Sequence, residues 1–305
     1  LFVQGVTWVP WVAPPLGLGL GVGGTLMMQA HQARRQRIAL LELLEQNTSP
    51  AIAQSLWNNR DELLRGGQLP GRKATATILF SDIRNFSPVA EQMEPELLLE
   101  WLNCYFVLVS DSVQRYSGSV NKFMGDGMMA LFGVPVPRTN AAEEAADAQN
   151  AVDCALAVRD GLAQLNQRFE NQGLPSIEVR IGIYTGPVVV GSIGGHKRWE
   201  YGAIGSSVNI ASRLEGCVRD RQPGVCRILL ARETLVHLGD HFQVESWGPL
   251  PMKGVKEPVD VYRVLRRLGA RDRLGQNCPG GNCNIPESEP PAESSPTLAS
   301  GRIRD

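Results

Sequence analysis

Two aspartates carry the strongest chemical signal in this sequence. Asp82 ends the apolar run Thr77-Ile-Leu-Phe-Ser-Asp82. A carboxylate at the end of a buried strand is costly unless it meets a cation or strong donors. Asp126 sits in Asp126-Gly127, a turn signal between two apolar runs. If the strands carrying them are neighbours, the two carboxylates meet, and close like charges repel unless cations lie between them. That is the logic of a two-metal site, in which Mg²⁺ ions about 3.5–4 Å apart activate an attacking oxygen and stabilise a leaving one. Taken singly, each aspartate also reads as structure: Asp-Gly as a plain turn, Asp82 as a strand-end cap. Only the pair is informative. Asn209 and Arg213 are four residues apart and share one face of a helix. Alone, they read better as a helix-start polar residue and an exposed salt bridge.

The elements that would position these residues follow from periodicity and punctuation. Residues 74–83 are dense in Thr and apolar residues and read as a strand. Residues 95–116 read as a helix, 119–132 as a hairpin around Asp126-Gly127, and 141–172 as a long amphipathic helix ended by Gly173 and Pro175. Residues 177–193 are strand-like, with a turn expected at Thr185-Gly186-Pro187, and 206–218 should be a helix. Further short strands and a helix follow up to Leu265. The order β-α-β-β-α-β predicts an α+β, ferredoxin-like sheet with its helices on one face. In such a sheet the first strand and the central hairpin are neighbours, which brings Asp82 to Asp126.

Three runs carry a family resemblance. They are Phe80-Ser-Asp-Ile-Arg-Asn-Phe-Ser87, then Lys122-Phe-Met-Gly-Asp-Gly-Met-Met-Ala-Leu-Phe-Gly133, then Glu200-Tyr-Gly-Ala-Ile-Gly-Ser-Ser-Val-Asn-Ile-Ala-Ser-Arg-Leu-Glu215. In order and spacing they resemble the class III nucleotide cyclase catalytic domain, over about residues 74–266. The resemblance implies attack of a ribose 3′-hydroxyl on the α-phosphorus of a nucleoside triphosphate, with loss of pyrophosphate. Asp82 and Asp126 match the metal-binding aspartates, with the backbone carbonyl of Ile83 as a further ligand, for two Mg²⁺ or Mn²⁺ ions per active site. Asn209 matches the residue that orients the ribose, and Arg213 the one that binds charge growing on the α-phosphate. Lys253, in Met252-Lys-Gly-Val-Lys256, matches a phosphate-binding lysine. The family shares each site between two catalytic domains, and this chain carries both residue sets, so a homodimer is implied.

Base choice is where the sequence departs from the family. Lys122 matches the lysine that donates to adenine N1. The second selector is usually Asp or Thr, accepting from the adenine amino group; here it is Gly202. ATP is the expected substrate, with weakened discrimination against GTP. A guanylate cyclase and a nucleotide-binding regulatory module without turnover are the alternatives. A diguanylate cyclase is disfavoured because no G-G-[DE]-E-F run occurs, and a P-loop nucleotidase because no G-x-x-x-x-G-K-[ST] run does.

The rest of the chain divides by charge. Its 305 residues hold 30 Lys and Arg and 31 Asp and Glu, none of them before Arg34. A net charge of -1 gives no basic field for nucleic acid. Val9 to Met28 carries no charge and would span about 30 Å as a helix. Trp8 and Trp11 flank one end; Arg34, Arg35 and Arg37 follow the other and mark the cytoplasmic side. Residues 1–28 are therefore expected to be a transmembrane segment in the cell inner membrane, with the catalytic domain cytoplasmic. A buried apolar hairpin is the alternative. Gly19, Gly21 and Gly24 match G-x-G-x-x-G but lack the preceding strand a dinucleotide site needs. Residues 29–72 read as a helical linker, able either to pair as a short coiled coil or to pack on its own domain. Residues 73–267 form the expected catalytic domain. Residues 268–305, rich in Pro, Glu and Ser, read as a disordered tail. Cys278 and Cys283 lack two further ligands at zinc spacing.

Overall fold

The computed structural model describes residues 27–28, 70–135, 138–195 and 198–269. The expected transmembrane segment, linker and tail lie outside these residues, apart from their edges. Among the described residues, no helix is long and apolar enough to cross a membrane.

The strands are β1 (Arg72–Ile83), β2 (Ser119–Met124), β3 (Gly127–Phe132), β4 (Val179–Gly195), β5 (Arg198–Ile204), β6 (Cys226–Ala231), β7 (Phe242–Leu250) and β8 (Val259–Arg267). The helices are α1 (Phe86–Gln92), α2 (Pro95–Arg115), α3 (Ala141–Asn171), α4 (Ser206–Gly216) and α5 (Arg232–Leu235). They build a mixed α/β fold on one sheet of order β2-β3-β1-β4-β6-β8-β7, with β5 paired to β4. The expected β-α-β-β-α-β order is present in its first part, and β1 lies between β3 and β4, antiparallel to both.

Strand β1 is buried on both faces from Ala76 to Ser81, where Thr77 and Ser81 are the only polar residues. Alternate side chains enter two separate cores. Leu79 and Ile83 join Trp101, Tyr105 and Val109 of α2 and Ala151, Ala155 and Leu162 of α3. Ile78 and Phe80 join Ala211 and Leu214 of α4 on the other side. The expectation of helices on one face is thus corrected: α4 covers the second. Gly182 permits this, since a Cβ there would meet Glu215 N at 2.3 Å and Ala211 O at 2.4 Å. Only a glycine lets the helix backbone come so close to β4.

Two local expectations also shift. The hairpin loop is Gly125-Asp126, with Gly125 at φ 63°, and Gly127 already pairs with Met124 inside the ladder. No turn forms at Thr185-Gly186-Pro187; β4 runs straight through, and β1 supplies a partner for each of the three residues. Thr185 is fixed twice: its hydroxyl meets that of Thr77 at 2.8 Å, and its N–H donates to Thr234 Oγ1 at 2.9 Å. Tertiary pairing here outweighs the local turn propensity of Gly-Pro. The long helix α3 starts where Asn140 caps it, accepting from the Glu143 N–H at 2.9 Å.

Candidate active site

Asp82 stands near the end of β1 and Asp126 at the tip of the β2–β3 hairpin. The register Ser81↔Met128 places that tip against the end of β1. Gly127 makes the approach possible: a Cβ there would lie 3.1 Å from Ser81 O and 3.4 Å from Asp82 Oδ1. The two carboxylates are neighbours, as expected. Burial pushes the Asp126 carboxyl up to about 6, and the charge of Asp82 pushes the same way. The N–H of Ile83, donating to Asp126, opposes the shift.

The pair lines a cleft of about 490 Å³ whose walls include Arg84, Asn85, Arg180 and Arg219. Arg180 is 8% exposed. Its guanidinium donates to Asp82 Oδ2 at 2.7 Å and lies 3.1 Å from Glu215 Oε1. Arg84 is held by Glu178 at 2.5 Å. Burial pushes the Glu215 carboxyl up to about 7; the Asp82 charge adds to this, and Arg180 opposes it. Arg180, Arg219 and Glu215 were not singled out in the sequence. Arg180 had a readable signal: an arginine inside the apolar strand that directly faces Asp82 in the ladder. Arg219 had none.

These carboxylates fit a divalent cation. Among the described residues no group of three or more His, Cys, Asp and Glu gathers. Mg²⁺, however, is commonly held by one or two carboxylates plus substrate phosphates and water. Asp82, Asp126 and the carbonyl of Ile83 suit that pattern. The elevated Asp126 also means that the pair bears repulsion a cation would relieve.

This has a consequence for stability. Both raised carboxyls, Asp126 and Glu215, bind protons in the folded chain at a pH where the unfolded chain has released them. Stability is therefore lost as pH rises from the ordinary carboxylate range through about 6 to 7. Without divalent ions, the melting midpoint should be higher at about pH 5 than at about pH 7.5. Asp126→Asn should reduce that difference, and added Mg²⁺ should raise the midpoint mainly at the higher pH. Thermal melts at the two pH values check this.

The remaining matched residues lie elsewhere. Exposed Lys122 lies on β2 and Gly202 on β5. Their strands are tied by Asn121 Nδ2, which donates to Tyr201 O at 2.9 Å. Exposed Asn209 and half-buried Arg213 lie on α4. The Arg213 guanidinium packs on Gly254, with Nη2 3.4 Å from where a Cβ would stand, so it neighbours Lys253. None of Lys122, Asn209, Arg213, Gly202 and Lys253 lines the cleft of Asp82 and Asp126.

Residues 70–266 match the family described as the adenylate and guanylate cyclase catalytic domain. The chain belongs to this family. Among relatives of the cyclase domain, adenylate cyclase 1 of Rhizobium meliloti (strain 1021) is 35% identical over 205 residues, covering 66% of this chain and 30% of that protein. The adenylate cyclase of Anabaena cylindrica is 32% identical over 195 residues, covering 62% of this chain and 36% of that one. The chain thus spans about a third of the length of these curated relatives. Among solved structures, the adenylyl cyclase CyaB from P. aeruginosa is 35% identical with a TM-score of 0.60, covering 67% of this chain and 99% of that one. The guanylyl cyclase Cya2 is 36% identical with a TM-score of 0.56, covering 64% and 93%.

Proposed function

We propose that this chain is an adenylate cyclase, converting ATP to 3′,5′-cyclic AMP and pyrophosphate at sites shared between two copies. The observation that carries this is the Asp82–Asp126 pair in its cleft, on a class III cyclase domain that also holds Lys122, Asn209 and Arg213.

In the reaction, the 3′-oxygen loses its proton and bonds to the α-phosphorus, and the bond from that phosphorus to the β-phosphate oxygen breaks. Asp82, Asp126 and the Ile83 carbonyl would hold two Mg²⁺ or Mn²⁺ ions. When bound, these supply positive charge that lowers the 3′-hydroxyl pKa and neutralises the leaving pyrophosphate. Asn209 orients the ribose. Arg213 sets its guanidinium against charge growing on the α-phosphate, and Lys253, beside it on the Gly254 loop, binds phosphate. Lys122 donates to adenine N1. Because these groups do not line the cleft of the two aspartates, a homodimer that brings one copy's cleft to the other's α4 completes each site. Residues 1–28 anchor the protein in the inner membrane, with the cyclase domain cytoplasmic. The uncharged stretch before Arg34 and the arginines after it support that placement.

Guanylate cyclase is the second reading, favoured by Gly202, which offers no side chain to accept the adenine amino group. Supplying one should sharpen base choice. Gly202→Thr should raise the ATP-over-GTP ratio of kcat/KM by about ten-fold. A Cβ at 202 meets Ile193 Cδ1 at 2.9 Å, but Ile193 is 39% exposed and can turn away. Cyclic nucleotide formation from each triphosphate gives the ratio. An unchanged ratio sinks the role assigned to position 202, and a wild-type preference for GTP favours the second reading.

A further inference from the structure

Asn121 occupies an irregular step of the β2–β3 ladder. The register passes from Val120↔Ala130 to Lys122↔Met129, so β2 has one extra residue there. Such bulges re-aim side chains, often beside active sites. The side chain of Asn121 reaches β5 and donates through Nδ2 to Tyr201 O at 2.9 Å. That bond places the amide nitrogen against β5. Asn121 Oδ1 is enclosed and accepts no hydrogen bond. Buried acceptors without donors are rare, and each asks for an explanation. Lys122 follows Asn121 in the chain, and Gly202 follows its partner Tyr201. Asn121 is therefore next to Lys122 in the chain and is bonded to the residue before Gly202.

Resting on the cyclase reading, we propose that Asn121 is a specificity-determining residue: its Oδ1 accepts a hydrogen bond from the exocyclic amino group of adenine, the role for which Gly202 has no side chain. Guanine carries a carbonyl oxygen at the same ring position, and an amide oxygen repels it. The room beside Gly202 is taken by Ile193 Cδ1, and rotation of this partly exposed side chain opens space for the base edge. The nucleotide then satisfies an acceptor that the protein leaves unpaired.

The test compares ATP with purine riboside triphosphate, which lacks only the amino group, as substrates of the full chain. Wild type should favour ATP in kcat/KM by about ten-fold. In Asn121→Leu and Asn121→Ala the ratio should fall to near one, through loss of ATP turnover rather than gain of the analogue's. A merely structural role would weaken both substrates alike and leave the ratio unchanged. The alanine variant serves if the leucine variant does not fold. The proposal is overturned if wild type does not discriminate, or if a folded variant keeps the wild-type ratio. A wild-type chain that cyclises neither triphosphate overturns the cyclase reading, and this proposal with it.

Discussion

Asp126→Asn is expected to lower cyclase kcat by about 10²–10³-fold while raising the melting midpoint of the metal-free protein. The two effects share one cause. Asp126 is half-buried beside Asp82, and both burial and that neighbour's charge disfavour its ionised form. Asparagine keeps the shape and one oxygen to accept from the Ile83 N–H, but removes the charge. The folded chain loses a repulsion, and the site loses one of the two carboxylates proposed to hold a divalent cation. A merely structural turn aspartate would behave oppositely: its replacement would cost stability and spare turnover. Steady-state kinetics with Mg²⁺ or Mn²⁺, beside thermal melts without them, separate the two cases. Asp82→Asn should lose activity similarly, but without the same gain in stability, because it also gives up the negative charge that pairs with Arg180 across 2.7 Å.

The second large effect concerns the proposed sharing of the site between two copies. Asp82→Ala and Arg213→Ala chains should each be nearly inactive alone. Mixed in equal amounts and allowed to exchange, they should recover about a quarter of wild-type activity: half of the dimers are mixed, and each mixed dimer keeps one intact site of two. The expectation rests on geometry. Asp82 lines the cleft with Arg180 and Arg219, whereas Arg213 packs on Gly254 and does not line it. If one chain made its own complete site, mixing would recover nothing. Activity of mixed samples across subunit ratios checks this, and complete failure to complement would count against shared sites.

Much of this arrangement was legible in the sequence, for identifiable reasons. The apolar run into Asp82 and the hairpin signal at Asp126-Gly127 are local features, and the strand order that joins them follows from element order. The register Ser81↔Met128 brings them together. The misplaced features depend on distant partners. Gly186-Pro187 has turn chemistry, but β1 pairs along the whole segment and holds it straight. The packing of α4 on the second face depends on Gly182 meeting the backbone of Ala211 and Glu215, a contact no local pattern announces. Arg180 interrupts an apolar strand; an isolated charge in such a strand asks for a partner, and Asp82 faces it. Glu215 stands in the sequence only as the end of a motif. Its role beside Arg180 depends on the third dimension, since α4 has to lie on β4 before the two meet.

The most direct test of the central claim is the product made by the full chain from ATP and from GTP, separately, with Mg²⁺ or Mn²⁺. The expected products are 3′,5′-cyclic AMP and pyrophosphate in equal amounts from ATP, lost when the divalent ion is chelated, with less product from GTP. Neither triphosphate yielding a cyclic nucleotide, or cyclic GMP as the sole product, would contradict that claim.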